Sequence, residues 1–282
     1  MIGYVLIFVI GFAAVSLWST WLVTHPKTIE SGVNPKNFNM PFEDIALETK
    51  DGVSISGWFI TPEISSAADK KPALVILHGY PAEKGDMLYI ASRLHPDFNI
   101  ILIDLRSFGK SGGIFTTLGN KERLDLSSAL DFLESRGFTK AGVIGFSLGG
   151  AAAILTAADD PRIAAVASYA SFADLTLLGH EVYSKLFILR YPLVELMKLW
   201  GKLFWNIDPA LSPRHAASRL MTPIIIIHSK QDEQISFRHA EILQDSLKNN
   251  KLAEFYFIDE GRHGELPRDF EERVKDFFLK SL

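Results

Sequence analysis

Six short, almost wholly apolar segments constrain this chain more than any other feature. They are Ala73-Leu74-Val75-Ile76-Leu77, Asn99-Ile100-Ile101-Leu102-Ile103, Gly142-Val143-Ile144, Ile163-Ala164-Ala165-Val166-Ala167, Ile224-Ile225-Ile226-Ile227 and Phe255-Tyr256-Phe257-Ile258. A strand that is apolar on both faces has to be covered on both faces, the situation of a parallel sheet between two layers of helices. Helical patterns lie between the segments. Residues 121–134 set Leu124, Leu126, Ala129, Leu130, Phe132 and Leu133 near one broad face, and 240–247 and 270–279 behave similarly. Ahead of them, Asp44-Ile45-Ala46-Leu47-Glu48-Thr49 and residues 53–60 flank Asp51-Gly52, a hairpin signal. The expectation is an α/β fold: a mostly parallel sheet, helices on both faces, and an antiparallel hairpin at its start.

A chain of 282 residues holds one large domain of this kind plus an appendage. The net charge of -4 supplies no basic field, so no nucleic-acid partner is expected. The absence of cysteine excludes disulfides, thiolate catalysis and cysteine metal sites, and leaves the compartment open. No metal or other cofactor is expected.

Residues 2–23 carry no charge, about the length of helix that crosses a bilayer, and Trp18, Trp21 and His25 suit the interface at its end. A single-pass membrane anchor over residues 1–24 is the preferred reading. A cleaved secretory signal ending near Ala14-Val15-Ser16 is the rival, opposed by the lack of Lys or Arg before the run and by the run's continuation past that site. Lys27, Lys36 and Glu30 leave the side of the membrane undecided. Residues 25–41, with Pro26, Gly32, Pro35 and Pro41, read as a linker, and residues 42–282 as the folded domain.

Residues 171–218 break the alternation of strand and helix. Tyr183, Leu186 and Phe187 form one apolar group, Val194, Met197, Trp200 and Phe204 another, with Pro192 between them. A helical lid over the carboxyl edge of the sheet is expected. Its apolar side chains either line a substrate pocket or pack the insertion onto the core.

Gly145-Phe146-Ser147-Leu148-Gly149 follows one apolar segment directly and precedes Gly150 and the small-residue stretch Ala151-Ala152-Ala153-Ile154-Leu155. A G-x-S-x-G between a strand and a helix forces the serine into a strained turn that lifts its hydroxyl above the sheet, at the positive end of the helix. A nucleophilic serine needs a base, and the base an orienting acid. Of eight histidines, His263 in Gly261-Arg262-His263-Gly264 follows the last strand and can reach that edge. His25 falls in the linker, His180 and His215 in the lid, and His95 and His239 read as helix-surface or loop residues. Asp232, at the tip of the strand ending in Ile227-His228, is the preferred acid; Glu233, Asp259 and Glu260 are its rivals. The oxyanion of an acyl-transfer intermediate needs two donors, expected from the Leu148 and Tyr80 amides, the latter in Leu77-His78-Gly79-Tyr80-Pro81. The His78 ring is expected to brace that loop. Residues 104–113 place Arg106 and Lys110 among glycines but lack the spacing of a phosphate-binding loop, and read as a structural turn.

In this order, His78-Gly79-Tyr80-Pro81, Asp104-Leu105-Arg106-Ser107-Phe108-Gly109-Lys110-Ser111-Gly112, Gly145-Phe146-Ser147-Leu148-Gly149, Asp232 and His263 resemble the signatures of the α/β-hydrolase superfamily, from about residue 42 to the end. The pattern is similar to its bud-emergence-protein-like branch of membrane-anchored serine hydrolases, with His228-Ser229 where relatives often show His-Gly. The resemblance implies a serine hydrolase, carboxylesterase- or lipase-like, acting on a small-molecule or lipid-like ester through a Ser147-His263-Asp232 triad. A peptidase, thioesterase or acyltransferase would use the same residues. A membrane-tethered binding protein with an inactive site is the reading from another class.

Overall fold

The computed structural model describes residues 1–27, 30–62 and 71–282. The polar insert before the first apolar segment falls largely on 63–70, outside the described residues. An N-terminal helix α1 (Ile2–Thr24) precedes the hairpin β1 (Phe42–Glu48) and β2 (Ser54–Ile60). Then follow β3 (Ala73–Leu77), α2 (Leu88–Leu94), β4 (Asn99–Ile103), α3 (Glu122–Ser135), β5 (Ala141–Phe146), α4 (Leu148–Ala157) and β6 (Ile163–Tyr169). Helices α5 (Leu175–Val182), α6 (Arg190–Trp205) and α7 (Pro213–Ala217) come next, before β7 (Ile224–Ser229), α8 (Phe237–Ser246), β8 (Ala253–Ile258) and α9 (Phe270–Ser281).

The strands form one sheet in the order β1-β2-β4-β3-β5-β6-β7-β8. β2 pairs antiparallel with both β1 and β4, and every later pairing is parallel. The apolar segments explain this arrangement, because the period-2 alternation of a strand sends successive side chains into opposite layers. Ala73, Val75 and Leu77 join the core beneath α3, α4, α7 and α8, while Leu74 and Ile76 join the core beneath α2 and α9. β4 and β7 divide in the same way, Ile101 and Ile103 against Ile100 and Leu102, Ile224 and Ile226 against Ile225 and Ile227. All of these β3, β4 and β7 side chains are buried. Truncating one of the leucines or isoleucines to alanine would remove about 2–5 kcal/mol, the transfer energy plus the cavity left behind.

Three strands run past their apolar segments towards the carboxyl edge, β6 among them, ending at Tyr169. β5 continues to Phe146 and β7 to Ser229, the latter because His228 and Ser229 still pair with Phe257 and Ile258. The strand ends thereby bring Ser147 and the 230–236 loop to the same rim.

The N-terminal segment is attached to the domain. The Trp200 indole donates to Ser16 Oγ at 2.9 Å, and Ser16, Thr20 and Thr24 are buried where α1 packs on α6. The Thr116 amide donates to the Thr24 carbonyl at 2.8 Å. In the stretch read as a linker, Pro35 and Met40 are buried and the Ser31 amide and hydroxyl both donate to Glu83 Oε1.

Candidate active site

Ser147 joins β5 to α4 with φ 49° and ψ −109°, a region that a residue with a side chain seldom enters. As the N-cap of α4 it would ordinarily turn its hydroxyl back onto the helix amides from extended backbone. Here it makes no capping bond, so the hydroxyl is left for other work. The flanking glycines follow from steric demand. A Cβ on residue 145 would lie 2.3 Å from the Gly149 carbonyl oxygen, and one on residue 149 would lie 2.6 Å from the His78 carbonyl oxygen. The motif is thus the set of residues that lets helix, strand and the 78–81 loop meet at one point. Gly79 packs against Ser147 from that loop, where a Cβ would be 3.2 Å from the Ser147 Cβ.

His263 occupies a loop held at three points. Tyr169 on β6 donates its hydroxyl to the Glu265 carbonyl, Ser229 donates to the Gly261 carbonyl, and the His263 amide donates to Glu233 Oε2 at 3.2 Å. Its ring Nδ1 lies 2.7 Å from Asp232 Oδ2. The other Asp232 oxygen accepts the Gln234 and Ile235 amides at 2.9 and 2.8 Å. Burial pushes this carboxyl upward, but the His263 hydrogen bond and the Ile235 and Gln234 amides outweigh it and hold it below the usual range. The charged carboxylate accepts from Nδ1–H, which fixes the tautomer of the neutral ring with its lone pair on Nε2. The rival carboxylates are otherwise engaged or turned outward: Glu233 holds the His263 backbone, Asp259 pairs with Lys230 at 2.6 Å, and Glu260 is exposed.

The Leu148 amide opens α4 and the Tyr80 amide sits in the turn after β3; among the described residues neither has a protein acceptor. The turn is braced by buried His78, whose Nε2 accepts the Leu105 amide at 2.9 Å while Nδ1 donates to the Gly79 carbonyl at 2.7 Å. Burial lowers the pKa of this ring and keeps it neutral. The 104–113 turn is built around the Asp104 carboxylate, which accepts the Lys84 and Lys110 amides and pairs with the buried Lys84 ammonium. Among the described residues no group of three or more His, Asp or Glu side chains has a metal-binding arrangement.

A family model described as the alpha/beta hydrolase fold matches residues 72–187. The strand order, the strained serine turn and that match agree. The chain has the α/β-hydrolase fold. Its bud-emergence-protein-like character is borne out by protein bem46 of Schizosaccharomyces pombe, 33% identical over 152 residues, which are 52% of this chain and 50% of that protein. The match therefore takes in half the length of bem46. Among solved structures, the Pyrococcus furiosus esterase Pf2001 superposes with a TM-score of 0.75 at 23% identity, over 91% of this chain and 99% of that one. The Pyrococcus horikoshii acylaminoacyl peptidase gives 0.67 at 20% identity, over 86% of this chain and 42% of that one.

Two cavities meet at Ser147. One of about 210 Å³ is lined by Ser147, His263, Gly79, Tyr80, Asp86 and Tyr89 among others. The other, about 780 Å³, takes in Ser147, Tyr80, Leu148 and Asp232, then runs under apolar residues of α5 and α6. Among the described residues Ser147 Oγ and His263 share the first cavity without hydrogen bonding one another.

Sequence reasoning missed three contributors. Thr20, Val23 and Thr24 of α1 line the larger cavity; the i, i+4 spacing of Ser16, Thr20 and Thr24 in an otherwise apolar helix was the available signal. Tyr169, which anchors the His263 loop, gave none beyond an aromatic residue at a strand end. His239 was read as a surface or loop residue and is fully buried instead. It faces the core beside Ala240 and Leu243; its Nδ1 accepts the Ala173 amide at 3.0 Å and its Nε2 lies 3.2 Å from Glu181 of α5.

Proposed function

We propose that this α/β-hydrolase cleaves carboxylic esters through an acyl-enzyme, with Ser147 as nucleophile, His263 as general base and acid, and Asp232 as the acid that orients His263. The observation that carries the reading is the 2.7 Å Asp232–His263 hydrogen bond on a ring that shares a cavity with the strained Ser147. Nδ1–H bound to the carboxylate leaves Nε2 to take the Ser147 proton as Oγ bonds to the substrate carbonyl carbon. The oxygen that becomes negative is received by the Tyr80 and Leu148 amides, whose unused donors cost no reorganisation during the reaction. Collapse breaks the bond to the alcohol, which leaves with the proton from Nε2. Water then repeats the sequence, with Nε2 as base, and releases the acid and free Ser147.

Ester chemistry is favoured over peptide chemistry by the surroundings. The larger cavity is mostly apolar and includes the end of α1, which suits an acyl chain. The esterase and peptidase among the structural neighbours share the fold and leave that choice to the pocket. We further read α1 as a membrane anchor: it is 23 residues long and its most apolar 18-residue stretch has a mean hydropathy of 2.1. Its Ser16–Trp200 contact supports a helix retained in the folded protein over a cleaved signal.

Purified chain should react with a fluorophosphonate at Ser147 and hydrolyse p-nitrophenyl acyl esters, and Ser147→Ala should lower that turnover by roughly 10⁵-fold or more. Lack of labelling would favour a binding protein, and faster turnover of peptides or thioesters than of esters would move the substrate class.

A further inference from the structure

α1 rises about 34 Å, slightly more than the roughly 30 Å of bilayer hydrocarbon. Residues 1–11 are exposed on every side, whereas one face of the helix from Phe12 to Thr24 is covered by protein. The uncovered part therefore accounts for only about half of a hydrocarbon crossing. An α1 that fills the bilayer must carry whatever packs on its second half in with it, and what packs there is α6.

The outer surface of that region fits such a position. Leu199, Leu203 and Phe204 of α6 are exposed, as are Leu186, Phe187, Ile188 and Leu189 in the 3₁₀ segment Ser184–Leu189 before it. Phe187 is 81% and Ile188 77% exposed, and Phe187 has a positive φ of 48°. A tract of this size facing water would be unusual, and such tracts mark membrane or protein contacts. It is continuous with a helix whose own apolar side chains are exposed, which argues for lipid. The charges in residues 184–205 are Lys185, Arg190, Lys198 and Lys202 against Glu195. Lys198 pairs with Glu195 at 3.0 Å and Arg190 contacts Tyr191, while Lys185 and Lys202 are exposed, long basic side chains of the kind that extends to headgroups.

We infer that α6 and the preceding 3₁₀ segment are sunk in the same leaflet as α1, and that the ester is a bilayer-resident long-chain acyl lipid. Its chain passes from the leaflet into the 780 Å³ cavity, against the wall formed by Thr20, Val23 and Thr24. The substrate assignment rests on the hydrolase reading above; the depth of the lid does not.

The absence of cysteine allows a direct test. Single cysteines F187C, L203C and, on the far side of the domain, L252C are spin-labelled in the full chain and reconstituted into phosphatidylcholine–phosphatidylglycerol vesicles. Labels at 187 and 203 should collide with dissolved oxygen and be shielded from a water-soluble nickel chelate, with 252 the reverse. Chelate access at 187 and 203 equal to that at 252 overturns the inference, as does shielding from both reagents, which would mean a protein partner.

In a second arm, F187D/I188D should lower turnover of a long-chain ester held in vesicles at least tenfold, with turnover of soluble p-nitrophenyl acetate within twofold of the parent. Unchanged vesicle turnover, or an equal fall in both activities, counts against the route through the leaflet. A parent that hydrolyses neither ester sinks the hydrolase reading and leaves the depth result standing.

Discussion

The carboxyl edge of the sheet and the α5–α6 region face each other across one cavity and are built by opposite rules. At the edge, position 145 has no space for a single added carbon, and Phe146, Leu148, Gly149 and Gly150 are all buried. Across the cavity none of the eight residues of α5 is buried, and a Cβ added at Gly201 of α6 would find ordinary contacts at 3.6 and 3.7 Å with Ile207. Reacting atoms need positions held to a fraction of an ångström, which close packing supplies. A surface that admits a flexible chain needs the reverse, and local stability is correspondingly lower where buried contacts are few.

The sharpest way to break this comparison lies on the tight side. Asp232→Asn should lower kcat by roughly 10³–10⁴-fold with the fold retained. Its carbonyl oxygen can still accept the Gln234 and Ile235 amides, but its NH₂ would face His263 Nδ1 and favour the wrong tautomer. Steady-state kinetics with circular dichroism checks this; an unchanged rate would shift the orienting role to Glu233. Next in size, Gly145→Ala should destabilise the protein by at least about 3 kcal/mol or prevent its recovery, since the new carbon meets rigid backbone at 2.3 Å. A melting point within a degree or two of the parent would show that the edge yields.

A smaller effect comes from pH. Burial holds His78, His228 and His239 below the ordinary value of 6.5, so each stays neutral in the fold but takes a proton in the unfolded chain. Their contribution is complete above about pH 6.5 and is lost as the pH falls below it. Asp125, whose carboxyl burial pushes up to about 7 against the pull of Arg106, works in the opposite sense. Three groups outweigh one. Stability should fall between pH 6.5 and 5, each unmatched proton counting for up to about 1.4 kcal/mol per pH unit. Thermal melts across this range test it, and a flat or rising midpoint would contradict it. Smallest of all, Gly201→Ala on the loose side should raise stability by about 0.5–1 kcal/mol, because a helical glycine is replaced where there is room. A loss of stability there would mean that α6 is packed as tightly as the edge.

The sheet was legible because its signal is local. Ala73–Leu77 and Asn99–Ile103 have the bounds their apolar segments predict, while the strands ending at Phe146, Tyr169 and Ser229 run on, extended by pairing with neighbours that no local pattern records. The serine turn was legible for a similar reason, since Gly145 and Gly149 are demanded by contacts within a few residues and with one adjoining loop. His239 was misjudged because a polar ring on a short helix looks like surface until the Ala173 amide that it serves comes into view.

What the sequence determined on its own, then, is the layered α/β framework and the serine turn, because strand alternation and steric exclusion act over a handful of neighbouring residues. It offered four carboxylates to His263 and treated the N-terminal helix as a separate object. Only tertiary structure decided that Asp232, 31 positions away, meets the ring, and that Ser16 meets Trp200 across 184 positions, making α1 a wall of the cavity. Such contacts depend on which surfaces remain to be buried once the sheet has formed, and no short stretch of chain carries that information.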